Sequence, residues 1–155
     1  MSGGARVLPA GDPAALSEAA ALLARGDLVA IPTETVYGLA GASTMPEAVA
    51  RIYAAKGRPS HNPLISHVSG IAMAERYVTF DARSRALAQA FWPGPLTLVL
   101  PLLPGPGIDR STTAGGETAA VRAPRGFAHE LIARPDLPLA VPSAIRSVRI
   151  GPTRV

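Results

Sequence analysis

The stretch Lys56-Gly57-Arg58-Pro59-Ser60-His61-Asn62-Pro63-Leu64 carries the densest chemistry in the chain. Lys56 is the only lysine among the 15 cationic Lys and Arg residues. It and Arg58 stand two residues apart around a glycine, and like charges that close repel unless an anion lies between them. A triphosphate suits the pair, since arginine offers a fork of donors and lysine a point charge. The plainer reading is a helix C-terminus whose cations complement the macrodipole. That reading leaves the Arg-Pro-x-x-Asn-Pro pattern unexplained, with its two prolines fixing one short loop.

Three further stretches place polar residues where elements end. In Pro32-Thr33-Glu34-Thr35-Val36-Tyr37-Gly38-Leu39 the hydroxyls of Thr33, Thr35 and Tyr37 could line a polar pocket, with Gly38 admitting close backbone approach. The same residues also fit an ordinary strand exit. His67 lies in the apolar run Leu64-Ile65-Ser66-His67-Val68, where alternation sets Ile65 and His67 on one face. It reads either as a satisfied, partly buried histidine or as a ligand group. In Glu117-Thr118-Ala119-Ala120-Val121-Arg122 the same period puts Thr118, Ala120 and Arg122 on one face. A cation and a hydroxyl around a small residue suit an amino-acid carboxylate; a half-exposed edge strand is the alternative.

The elements that must position these groups are short, because 15 glycines and 16 prolines punctuate the chain. A helix is expected from about Asp12 to Arg25, with Asp12 as cap, Pro13 at the first helical position and Gly26 as stop. Leu28 to Ile31 reads as a buried strand ended by Pro32. A second helix starts at Thr44, where Thr44 and Glu47 have capping-box spacing, and stops at Gly57. Strands are expected at Leu64–Val68, Leu96–Leu103, Thr118–Ala123 and Leu137–Val141, with a helix over Phe127–Ala133. Ser69 and Asp81 would cap two more short helices. The order mixes adjacent strands with crossover helices. It predicts an α/β fold, a two-layer domain with a twisted, mixed β-sheet flanked by helices.

Composition excludes several classes. Without cysteine there is no disulfide framework, no thiol nucleophile and no thiolate zinc site. No Walker-type loop and no G-x-G-x-x-G follows a strand, and Ser143 lacks the G-x-S-x-G elbow of a serine hydrolase. The formal charge of +4 rests on arginine, which fits either codon preference or an anionic partner such as RNA. No apolar run reaches membrane-spanning length and no signal peptide opens the chain, so the expectation is a soluble, cytoplasmic protein without a membrane partner.

Taken jointly, Pro32–Leu39, Lys56-Gly57-Arg58-Pro59 with Asn62-Pro63-Leu64 and His67-Val68, Trp92-Pro93-Gly94-Pro95-Leu96-Thr97, Thr118–Pro124 and Pro142-Ser143-Ala144 resemble the YrdC-like family of threonylcarbamoyl-AMP synthases. They occur in the family's order over nearly the whole chain. The resemblance implies synthesis of threonylcarbamoyl-AMP and pyrophosphate from L-threonine, bicarbonate and ATP for the t6A modification of tRNA. By position it implies that Thr35, His67 and Arg122 bind L-threonine. Arg58, Asn62, Thr118 and Ser143 would contact ATP, with Lys56 and Arg58 as the catalytic, charge-neutralising pair. Mg2+ would accompany the ATP. Double-stranded RNA or tRNA, and the downstream tRNA threonylcarbamoyl-transferase machinery, would be partners.

The chain departs from the family's Pro-Ser-Ala-Asn-x-Ser-Gly motif and the serine shortly after it. Ile145 stands for the asparagine, Val148 for the glycine and Gly151 for the serine. Residues 1–155 are accordingly expected to form a single YrdC-like domain lacking its C-terminal strands, with activity impaired. The competing functions are a carbamoyltransferase-type domain of the same fold and a non-catalytic RNA-binding module.

Overall fold

The computed structural model describes residues 6–33 and 36–144. Its elements run α1 (Pro13–Ala24), β1 (Val29–Ile31), β2 (Gly38–Ala42), α2 (Pro46–Lys56), β3 (Ile65–His67), α3 (Ile71–Ala74), α4 (Ala82–Phe91), β4 (Leu98–Pro101), β5 (Thr118–Arg122), α5 (Gly126–Ala133) and β6 (Leu139–Ala140). The six strands form one mixed sheet in the order β1-β2-β6-β3-β5-β4. Only β3 and β5 are parallel; every other pairing is antiparallel. This is the mixed α/β sheet with flanking helices that the sequence predicts.

Local signals account for most element boundaries. Asp12 caps α1, its carboxylate accepting from the Ala14 amide at 2.9 Å, and Pro13 occupies the first turn. Asp81 and Ser84 cap α4 reciprocally: the Ser84 amide donates to Asp81 Oδ1 at 2.7 Å and the Asp81 amide to Ser84 Oγ at 2.9 Å. Two expected caps are not used. Helix α2 takes Met45 as its N-cap without any side-chain bond, because Pro46, two residues beyond Thr44, sets the first helical position. Likewise α3 starts from Gly70 rather than Ser69.

Strand β2 was hidden by its composition, Gly-Leu-Ala-Gly-Ala, which reads as turn rather than strand. Its glycines answer to close packing. A Cβ at Gly38 would lie 2.5 Å from Val141 Cγ1, and one at Gly41 within 2.9 Å of both Leu28 Cδ2 and Ile52 Cδ1. The main core gathers Leu16, Leu23, Ile31, Val68, Val78, Leu98, Val121, Leu131, Ile132 and Leu139. A second cluster joins α2 to the sheet through Val49, Ile52, Leu64 and Ala140. Among the described residues no helix is long and apolar enough to cross a membrane.

Candidate active site

The parallel pair β3 and β5 delivers the central residues. Ile65 lies opposite Ala120 and His67 opposite Arg122, so the faces that the sequence defined separately on each strand merge into one. His67 and Arg122 are the last residues of their strands. They open onto a cavity of about 300 Å³, where α/β sheets commonly bind ligands. Its wall includes Thr33, Gly38, Gly94, Pro95, Arg125 and Ser143.

Each wall has an anchor. Arg122 Nε donates to Thr97 Oγ1 at 2.8 Å, which fixes the guanidinium beside His67. The loop 92–96 is held from three sides: the Gly94 amide donates to Ala123 O at 2.9 Å, Arg125 Nε to Pro93 O at 2.9 Å, and Trp92 Nε1 to Leu96 O at 2.8 Å. Gly94 must be glycine at this close approach, since a Cβ would meet the Phe91 carbonyl oxygen at 2.5 Å. Opposite, residues 142–144 run alongside the start of β2. The Leu39 amide donates to Pro142 O at 2.8 Å and the Ala144 amide to Tyr37 O at 2.7 Å, continuing the β2–β6 pairing past its formal end.

His67 is 8% exposed, and its Nδ1 has no hydrogen-bond partner among the described residues. Burial, reinforced by the Arg122 cation, lowers its pKa to about 4, so the imidazole is neutral near pH 7. The neutral ring forms part of the cavity wall, while Nδ1 itself is buried away from the cavity. Lys56 is 4% exposed at the end of α2, and its Nζ donates to Ser143 O at 2.7 Å and Ser143 Oγ at 3.2 Å. Desolvation, with Arg58 nearby, holds its pKa below the usual lysine value.

The cavity therefore unites His67, Arg122 and Ser143 of the expected residues, with Lys56 bonded to Ser143 behind the wall. Arg58, Asn62 and Thr118 do not line it. Arg58 donates Nε to Asn62 O at 3.1 Å and Nη2 to Pro63 O at 2.7 Å, which closes the 58–63 loop on itself. Tyr53 Oη reinforces the loop by donating to Asn62 O at 2.7 Å. Thr118 begins β5 and is exposed, four residues before Arg122 on the same face. Thr35, Ile145, Val148 and Gly151 lie outside the described residues. Arg125 and Thr97 carried no role in the sequence reading. The available signal was a second arginine three residues after Arg122, at the entry to a helix.

A model of the Sua5_yciO_yrdC family, described as "Telomere recombination", matches residues 21–155. The chain belongs to the Sua5/YciO/YrdC family. It is 45% identical over 141 residues to a threonylcarbamoyl-AMP synthase of Bacillus subtilis, covering 90% of this chain and 40% of that protein. Identity to the Pyrococcus abyssi threonylcarbamoyl-AMP synthase is 46% over 138 residues, again 87% of this chain against 40% of the relative. The crystal structure of P. abyssi Sua5 complexed with L-threonine superposes with a TM-score of 0.83 at 44% identity, covering 89% of this chain and 41% of that one. The chain thus spans about two-fifths of the length of these Sua5/YciO/YrdC relatives.

Proposed function

We propose that this chain carries the synthase site for threonylcarbamoyl-AMP, acting on L-threonine, bicarbonate and ATP. The observation that carries the reading is the His67–Arg122 register pair facing a cavity whose described lining includes arginine but no Asp or Glu. Arg122 offers its terminal nitrogens to the threonine carboxylate, and the neutral His67 ring borders the ligand without adding charge. Thr35 belongs to the same assignment. The free amine attacks bicarbonate, giving an N-carboxylate and releasing water. A carbamate oxygen then attacks the α-phosphate of ATP; the α–β phosphoanhydride bond breaks and pyrophosphate leaves.

Nothing covalent is required of the protein, so its contribution is placement and charge neutralisation. Lys56 and Arg58 serve the phosphates, with Asn62, Thr118 and Ser143 as further nucleotide contacts. Arg58 reaches phosphate by exchanging its bonds to Asn62 O and Pro63 O. Among the described residues no group of three or more His, Asp or Glu could hold a metal ion. Magnesium accompanies ATP as its counter-ion in this reading and needs few protein ligands. The product's use in tRNA modification implies a cytoplasmic protein, contact with tRNA or other RNA, and a separate transferase that consumes the adenylate.

Pyrophosphate release tests the reading. It is expected with threonine and bicarbonate together, and to drop sharply with serine or without an amino acid. Equal release under all three conditions overturns it.

A further inference from the structure

Two arginines, not one, line the cavity. Arg122 and Arg125 are each tethered through Nε, to Thr97 Oγ1 and to Pro93 O respectively. The terminal nitrogens of both carry no hydrogen bond to any described residue. Neither belongs to an ion pair there, and no described Asp or Glu lines the wall. Tethering through Nε orients a guanidinium while leaving its outer edge for bidentate contact. Two such edges on one cavity are more positive charge than a single carboxylate neutralises. A free amino acid would worsen the imbalance, since its ammonium would face cations rather than anions.

The surroundings point the same way. His67 is neutral and adds no charge, so it neither replaces nor cancels a guanidinium. Arg125 is the N-cap of α5 with no side-chain cap on the first turn, which adds partial positive charge at the same wall. About 300 Å³ accommodates a small dianion with room to reach both edges.

We infer that the cavity is built for the N-carboxylated amino acid, a dicarboxylate, with Arg122 holding the α-carboxylate and Arg125 the N-carboxylate. The inference rests on the threonine reading above and adds Arg125 as a specificity residue for the carbamate. Its formation balances as amine plus bicarbonate to carbamate plus water, with the amine's proton leaving in the water. Arg125 then favours the charged carbamate over free amine and keeps its oxygen oriented for attack on phosphorus.

A stable mimic tests this directly. In 2-(1-hydroxyethyl)succinate a methylene replaces the carbamate N–H of carboxylated threonine, so the second carboxylate persists without bicarbonate. Calorimetric titration of the 155-residue chain should show the mimic binding at least tenfold more tightly than to Arg125→Gln. Threonine affinity, measured without bicarbonate, should not fall in Arg125→Gln relative to the wild type, because the free ammonium loses a facing cation. Arg125→Lys, which keeps the charge but not the fork, should fall between them. Matching thermal melts check that the variants are folded, as expected for an exposed side chain. Equal mimic affinity in wild type and Arg125→Gln, with threonine still bound, overturns the inference and leaves the proposed function standing. Failure of the wild type to bind threonine overturns the proposed function itself.

Discussion

The two cationic regions of this molecule are held in opposite ways. Arg122 is fixed by the sheet: its backbone is in register with His67 and its Nε is tied to Thr97, with the outer edge of the guanidinium left for a ligand. Arg58 is fixed by the loop it sits in, its guanidinium already donating to the carbonyls of Asn62 and Pro63. A ligand at the outer edge of Arg122 displaces no partner among the described residues. A phosphate at Arg58 must replace two hydrogen bonds, so it gains only the difference between them and its own. Lys56 stands between these cases, buried but bonded to Ser143. Strand residues thus arrive preorganised, whereas loop residues are stable in the absence of ligand and must be recruited.

The largest expected effect comes from removing support under the preorganised side. Leu131 in α5 is fully buried, and α5 also carries Ala128 into the cavity wall. Leu131→Ala should cost about 2–5 kcal/mol of stability in urea titrations. A loss below about 1 kcal/mol would mean that α5 is not anchored as described.

Next comes Arg122→Gln, which should weaken threonine binding by about 1.5–3 kcal/mol, roughly 10- to 150-fold, with ATP affinity unchanged. A parallel loss of ATP affinity would merge the two regions into one.

The buried imidazole gives a pH signature. The folded-state pKa of His67, about 4, lies below its ordinary value of 6.5. Stability is therefore full above about pH 6.5 and declines as pH falls towards 4, because only the unfolded chain binds the proton in that window. Between pH 7.5 and 5 the loss should be about 2 kcal/mol, absent from His67→Gln. The same decline in the variant would assign it to other groups.

Smallest are the loop effects. Arg58→Ala should weaken ATP binding by about 1.5 kcal/mol, the low end for a charge-assisted bond, because the wild-type side chain gives up two carbonyls. Arg134, which donates to Ser17 Oγ far from the cavity, should change ATP affinity by less than about 0.5 kcal/mol on replacement by alanine. Equal effects would remove the loop from the nucleotide site.

Much of this arrangement was legible in the sequence, for identifiable reasons. Asp12-Pro13 and Asp81 announced α1 and α4 because capping is local chemistry between neighbours. Period-two alternation placed His67 and Arg122 on definite faces of their own strands. That the two faces coincide depends on strand register, which no local pattern encodes. Strand β2 was missed because glycine, the signal for a turn, was selected there by the crowding of Val141 and Ile52 against the backbone. Arg125 escaped notice because one more arginine means little in an arginine-rich chain until its tether to Pro93 and its place on the cavity wall are seen.

The position of β6 bears on how the protein is made. Its two residues come last among the described strands, yet they lie in the interior of the sheet, between β2 and β3. As the chain leaves the ribosome, β1 and β2 can pair, and β3, β5 and β4 can pair, but no strand pairing joins the two halves until Leu139 and Ala140 emerge; before that, the Ser66–Ser43 hydroxyl bond and the Asp109 amide to Ser43 O are side links between them. Until those residues emerge, the nascent chain therefore presents two unfinished sheet edges that match the same missing strand. Joining the two halves is a long-range insertion, the kind of step that slows folding and favours chaperone engagement.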